Sequence, residues 1–181
     1  MKQTRKTAIL KKKRVYLSGG MEYAQFEGAD WRSEIEGWIR KTLGHSAFNP
    51  NIESARFLKK HVRGNFRRLK TENTPRFTEI VGRIVDLDSR EIARRTDYVV
   101  CYWDRSAQRG AGTKGELTIA KLFDKPVYMV TEVRPENIPG WILGCTTKMF
   151  GSFFELKEFL EDEFNPVRRT ATARSGKKRR T

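Results

Sequence analysis

Asp97-Tyr98-Val99-Val100-Cys101-Tyr102-Trp103 is the stretch on which the fold turns. Apolar and aromatic residues follow one another here without alternation. That pattern describes a strand covered on both faces, as in the interior of a parallel sheet. Upstream, residues from Phe77 to about Arg95 carry Ile80, Ile84, Leu87 and Ile92 at helical spacing. Downstream, a glycine-rich loop leads to a helix from about Thr113 to Phe123, and Lys125-Pro126-Val127-Tyr128-Met129-Val130 reads as the next strand. Further out, Arg14-Val15-Tyr16-Leu17-Ser18 is a first strand stopped by Gly19-Gly20. Trp31, Ile35, Trp38, Ile39 and Leu43 share one face of a helix over 30–43 that Gly44 ends. Ser46-Ala47-Phe48 is a short strand halted by Asn49-Pro50. Residues 147–150 form a last short strand, and Ser152-Phe153-Phe154-Glu155 is a capping box that opens a helix to about Phe164. Strands alternating with helices predict an α/β fold with five mostly parallel strands, right-handed crossovers and helices on both faces. Ligands in such sheets sit beyond the carboxyl ends of the strands. That rule places Ser18, Gly19, Gly20, Asn49, Asp104 and the loop 110–116 on one rim.

The 181 residues carry a formal net charge of +15, from 37 Lys+Arg against 22 Asp+Glu. Residues 1–14 and 168–181 each hold seven basic residues and no acid, so they account for fourteen of the fifteen charges. The expected organisation is a basic tail over 1–13, an α/β domain over 14–166 and a second basic tail over 167–181. Both tails are strongly basic with few apolar residues and are expected to be disordered. Both should leave from the rim opposite the ligand, available to tether RNA, DNA or another polyanion. Inside the domain, a basic helical insertion spans about 53–76. Between Arg56 and Lys70 it has seven Lys/Arg and no acid, with Phe57, Leu58, Val62, Phe66 and Leu69 spaced for an amphipathic helix. This patch follows a strand end on the ligand side.

The longest wholly apolar run, Tyr98 to Trp103, is far below the roughly 20 residues of a membrane span. Ala8-Ile9-Leu10 is too short for the core of a signal peptide, so a cytoplasmic location is expected. Two cysteines make no disulfide framework, and His45 and His61 without a Cys-x-x-Cys make no structural zinc site. Neither a metal nor a cofactor is expected.

Gly110-Ala111-Gly112-Thr113-Lys114-Gly115 formally matches a dinucleotide fingerprint. It follows a later strand rather than the first, which argues against a nicotinamide site. Glycines ahead of a helix still allow close approach of an anion to backbone N–H groups. Glu116 has two readings. Thr113-Lys114-Gly115-Glu116 is a capping box in its own right, and from spacing alone that is the stronger reading. Alternatively, Glu116 lies in the first turn at the ligand rim, where the helix dipole would hold it ionised as a nucleophile. Asp88 stands on the helix leading to the central strand. Asp86 beside it reads as solvated, and Asp97 as a turn or cap residue on the opposite rim. Tyr16 reads as a core aromatic whose hydroxyl finds a partner.

The ordered set resembles the nucleoside 2-deoxyribosyltransferase superfamily, which includes nucleoside-monophosphate N-glycosidases. The matching pieces are Val15-Tyr16-Leu17-Ser18-Gly19-Gly20-Met21, Asn49-Pro50, Asp88-x-x-x-Ile92 leading to Asp97-Tyr98-Val99-Val100, Gly112-Thr113-Lys114-Gly115-Glu116-Leu117-x-x-Ala120, and Lys125-Pro126-Val127. They cover roughly residues 14–130. The resemblance implies a flavodoxin-like sheet, Glu116 as nucleophile, Asp88 serving the leaving base and Tyr16 orienting the Glu. The ligand rim and the matching pieces together make Ser18, Gly19, Gly20, Met21, Asn49, Asp104, Gly112 and Thr113 the expected substrate contacts. The resemblance also implies a nucleoside or nucleotide substrate and a homodimer or larger homo-oligomer. Gly110 stands where the transferases carry another acid, and Thr118 where the family usually has Gly. The alternative is a non-catalytic nucleotide- or nucleic-acid-binding protein of the same fold.

Overall fold

A computed structural model describes residues 12–164. The two expected tails lie outside the described residues, except for Lys12 and Lys13. Five parallel strands form one sheet: β1 (Arg14–Gly19), β2 (Ser46–Phe48), β3 (Tyr98–Tyr102), β4 (Val127–Val130) and β5 (Lys148–Phe150). Their order is β2-β1-β3-β4-β5. This is the flavodoxin-like winding, with its switch point between β1 and β3. In register, Tyr16 lies beside Val99 and Ser18 beside Cys101. β3 is central and buried on both faces, as its unbroken apolar run requires.

Side-chain alternation divides the core into two layers. Tyr16, Val99, Cys101, Val127 and Met129 face one way. They pack under Ile92 of α4 (Thr74–Arg94), Leu117 and Ala120 of α6 (Gly112–Leu122), and Ile142 of α7 (Gly140–Cys145). Val15, Leu17, Tyr98, Val100 and Tyr128 face the other way. They meet Ile35 of α1 (Ala29–Trp38), Ile39, and Leu156 and Leu160 of α8 (Phe153–Phe164). α1 continues as a π-turn, Ile39–Leu43, and Gly44 ends it with φ +67°. The N–H of Glu155 donates to Ser152 Oγ, so the last helix is capped as expected.

Three local expectations differ. The basic stretch is not one amphipathic helix. α2 (Pro50–His61) ends at a turn containing Gly64 with φ +83°, and the chain resumes as a 3-10 turn (Phe66–Arg68) and the single-turn α3 (Leu69–Glu72). Leu87 is not inward but 37% exposed, because α4 buries Ile80 and Ile92 instead. The loop after β3 contains a short helix, α5 (Arg105–Arg109), capped by Asp104. Such an element is set by its cap rather than by apolar periodicity, so periodicity does not reveal it.

Candidate active site

Tyr16 and Ser18 are two residues apart on β1 and therefore point to the same face of the sheet. Above that face lies the N-terminal part of α6, which carries Glu116. Tyr16 Oη donates to Glu116 Oε1 at 2.9 Å, and Ser18 Oγ donates to Glu116 Oε2 at 2.5 Å. Each carboxylate oxygen is held by a different hydroxyl. The capping-box reading of Glu116 is overturned: its carboxylate turns toward β1, and no side chain caps α6.

The expected electrostatics are overturned as well. The Glu116 pKa lies above the ordinary carboxylate value because burial of the carboxyl outweighs its stabilisers. Those stabilisers are the Ser18 and Tyr16 hydrogen bonds and the positive charge of Arg32. The side chain nevertheless remains half-buried rather than sealed. A desolvated but reachable carboxylate suits a nucleophile.

Asp88, on α4, completes the group. Its Oδ1 is buried with no hydrogen-bond partner among the described residues. Burial first, and then the charge of Glu116, push its pKa up to about 8. Asp88 therefore holds a proton at neutral pH. Two acids with separated roles, one a proton donor and one a carboxylate, form the pattern expected of an acid–nucleophile pair. Burial and the same two acids raise Tyr16 well above the ordinary phenol, so it stays a donor.

The other residues expected at the rim divide by what holds them. Asn49 is 4% exposed; its Oδ1 caps α2 and its Nδ2 donates to Glu36 Oε2 at 3.0 Å. Asp104 Oδ1 accepts from Ala107 N and Ser106 Oγ. Gly20 packs so closely on α5 that a Cβ there would lie 1.9 Å from Ser106 Oγ. Gly19 is equally confined, with a Cβ position 2.8 Å from the Trp31 ring. Close packing within the protein accounts for both glycines. Gly112 and Thr113 open α6 at the rim, and Met21 lies half-buried just past β1. Asp97, on the opposite rim, accepts from the Arg14 N–H at 2.7 Å as a turn residue should.

Part of the basic stretch reaches this rim. Arg67 pairs with Glu27, and Lys70 Nζ lies 2.8 Å from Glu22, so both grip the loop that follows β1. Asn51 Nδ2 also donates to the Glu27 carbonyl.

One residue of the site escaped sequence reasoning. Arg32 is fully buried in α1, and its charge acts on Glu116. A signal was available, because Arg32 precedes Ile35 and Ile39 by three and seven residues. It therefore lies on the face that those residues bury. Among the described residues no cluster of His, Cys, Asp and Glu could hold a metal ion, and no helix is long and apolar enough to cross a membrane.

No family model matches the chain, and no curated protein matches it in sequence. Among solved structures, the Clostridium botulinum CMP N-glycosidase BcmB is similar in fold. It is 16% identical, with 82% of this chain and 98% of that chain covered, at a TM-score of 0.49.

Proposed function

We propose that the protein breaks the N-glycosidic bond of a nucleoside or nucleoside 5'-monophosphate, with Glu116 as nucleophile. The observation that carries this reading is the Glu116 carboxylate, gripped by Tyr16 and Ser18 beside an Asp88 that holds its proton. Glu116 attacks the anomeric carbon as the bond to the base nitrogen breaks, through an oxocarbenium-like transition state. Asp88 delivers its proton to the departing base. Water, or a second base, then gives a proton to the Asp88 carboxylate as it displaces Glu116 from the sugar, which restores both acids. Tyr16 and Ser18 keep the attacking oxygens in position throughout. The motif order that resembles the deoxyribosyltransferase superfamily supports the same substrate class, and with it assembly as a homo-oligomer.

The test is a panel of nucleosides and nucleotides incubated with the purified chain and assayed for free base by chromatography. At least one member should release base, and Glu116→Ala should abolish release, by about 10⁴-fold or more, while the protein stays folded. Full turnover by Glu116→Ala would remove the residue as nucleophile. No release from any member, together with salt-sensitive binding of DNA or RNA, would replace the glycosidic reading with the binding one.

A further inference from the structure

We infer that Arg32 is a positioning residue of this site: its guanidinium clamps the rim loop 19–28 and presents the buried positive charge that faces Glu116. Its kinetic consequence rests on the glycosidic reading, whereas its structural and titration consequences do not.

Arg32 is 0% exposed, yet among the described residues no carboxylate forms an ion pair with it. Burying a guanidinium is costly unless its donors are satisfied. Here backbone carbonyls satisfy them. Nε donates to Leu17 O at 3.1 Å, and Nη2 to Gly19 O at 2.7 Å. Nη1 donates to Glu27 O at 3.1 Å and Gly28 O at 3.0 Å, with a longer contact to Gly20 O at 3.4 Å. One side chain thus joins the end of β1 to the far end of the rim loop.

The loop needs such a clamp. Phe26, Glu27 and Gly28 run consecutively at φ 48°, 54° and 67°. Left-handed backbone at two non-glycine residues is held only when surrounding contacts enforce it. Two of the carbonyls in question belong to Glu27 and Gly28. The glycines fit the same device. A Cβ on Gly28 would lie 2.7 Å from Arg32 Nη1, and one on Gly19 would lie 3.2 Å from Nη2. The guanidinium also stacks on the Trp31 ring, 4.6 Å from its centre.

Carbonyl dipoles solvate the cation without neutralising it, so its field remains available to the site. Around Glu116 stand Tyr16 and Ser18 of β1, Asp88 of α4, Cys101 of β3 and Arg32 of α1. Arg32 is the cation of that group, and its charge lowers the pKa of both Glu116 and Asp88. Asp104, beyond the end of β3, faces Arg32 as well. A clamp that served structure alone could use neutral donors.

The test compares Arg32→Lys and Arg32→Met in the full chain. Three quantities are read: the Glu116 carboxyl titration by carbon-13 NMR, amide exchange across residues 19–28, and the pH profile of kcat/KM for base release. Both variants should exchange faster in the loop, because neither can engage five carbonyls. Arg32→Met should move the Glu116 titration, and the acid limb of the profile, to higher pH. It should also lose about 100-fold in kcat/KM, the scale of a misplaced reacting group. Arg32→Lys keeps the charge and should recover most of the titration shift. An unmoved Glu116 titration in a folded Arg32→Met protein overturns the inference, as does an equal shift in both variants. If Arg32→Met does not fold, Arg32→Gln takes its place, keeping amide donors for the carbonyls but no charge. It should raise the Glu116 titration as Arg32→Met does, and an unmoved titration in a folded Arg32→Gln protein overturns the charge role. If no substrate releases base, the glycosidic reading fails, while the titration and exchange still decide the case of Arg32.

Discussion

Asp88 and Glu91 lie one turn apart on α4 and meet opposite fates. Glu91 is 4% exposed and pairs with Arg14 at the start of β1, with Arg95 a further 3.8 Å contact. Among the described residues Asp88 finds no cation in contact, leaves one oxygen unpartnered and faces another acid, Glu116. The first arrangement satisfies a buried charge and fastens α4 to the sheet. The second leaves a proton held against its ordinary tendency, which is a state that can do chemistry. Side-chain type is nearly the same at the two positions. What separates them is where each meets β1: Glu91 at its basic start, Asp88 beside the Tyr16 hydroxyl and the Glu116 carboxyl.

The sharpest way to break this contrast is Asp88→Asn. Base release should fall about 100- to 1000-fold, the range for loss of a positioned proton donor, as read by steady-state kinetics. The wild-type rate should follow a bell in pH. It falls as acid protonates Glu116, and falls again as Asp88 loses its proton at about 8. The alkaline limb should disappear from whatever activity Asp88→Asn retains. Tyr16→Phe removes one of the two hydroxyls on Glu116 and should cost about tenfold in kcat, since Ser18 still holds the other oxygen.

Stability should reverse the order. The folded-state pKa of Asp88 is raised, to about 8 from an ordinary 3.8. Between those values the folded chain holds a proton that the unfolded chain has released, so this residue's contribution to stability declines as pH rises through that window. Asp88→Asn should therefore be more stable than the parent at pH 8, by about 1–2 kcal/mol, with the gain vanishing toward pH 4 in denaturant melts. Glu91→Gln should do the converse. It should destabilise by about 1–2 kcal/mol, less than a fully buried pair because Arg14 is partly in solvent. Its kcat should stay within about twofold of the parent, because among the described residues Glu91 makes no hydrogen bond or ion pair to Tyr16, Asp88 or Glu116 and its charge is a lesser cause of the Asp88 shift than burial or Glu116. A loss of turnover in Glu91→Gln as deep as that in Asp88→Asn would erase the distinction between the two acids.

The strands were readable because a buried parallel strand writes its environment into a few consecutive residues, as Tyr98–Trp103 does. The apolar face of α1 was readable for the same reason, through its spacing. Tyr16, Asp88 and Glu116 could be singled out from the order of their motifs. Their mutual geometry could not, since Tyr16 and Glu116 are 100 residues apart and meet through one helix lying over one strand. The break at Gly64 was hidden because the flanking apolar residues keep helical spacing across it.

What the sequence by itself determined is the α/β alternation, the central place of β3 and the set of acids and hydroxyls available to a site at the strand ends. Those depend on local pattern and on residue type. Tertiary structure alone decided which acid is paired and which is not, that Ser18 and Tyr16 hold Glu116, that burial raises the pKa of that carboxyl, and that Arg32 lies inside. The physical reason is that a charge's pKa and its partners depend on every group packed around it, and those groups arrive from α1, α4, β1 and β3, segments remote from one another along the chain.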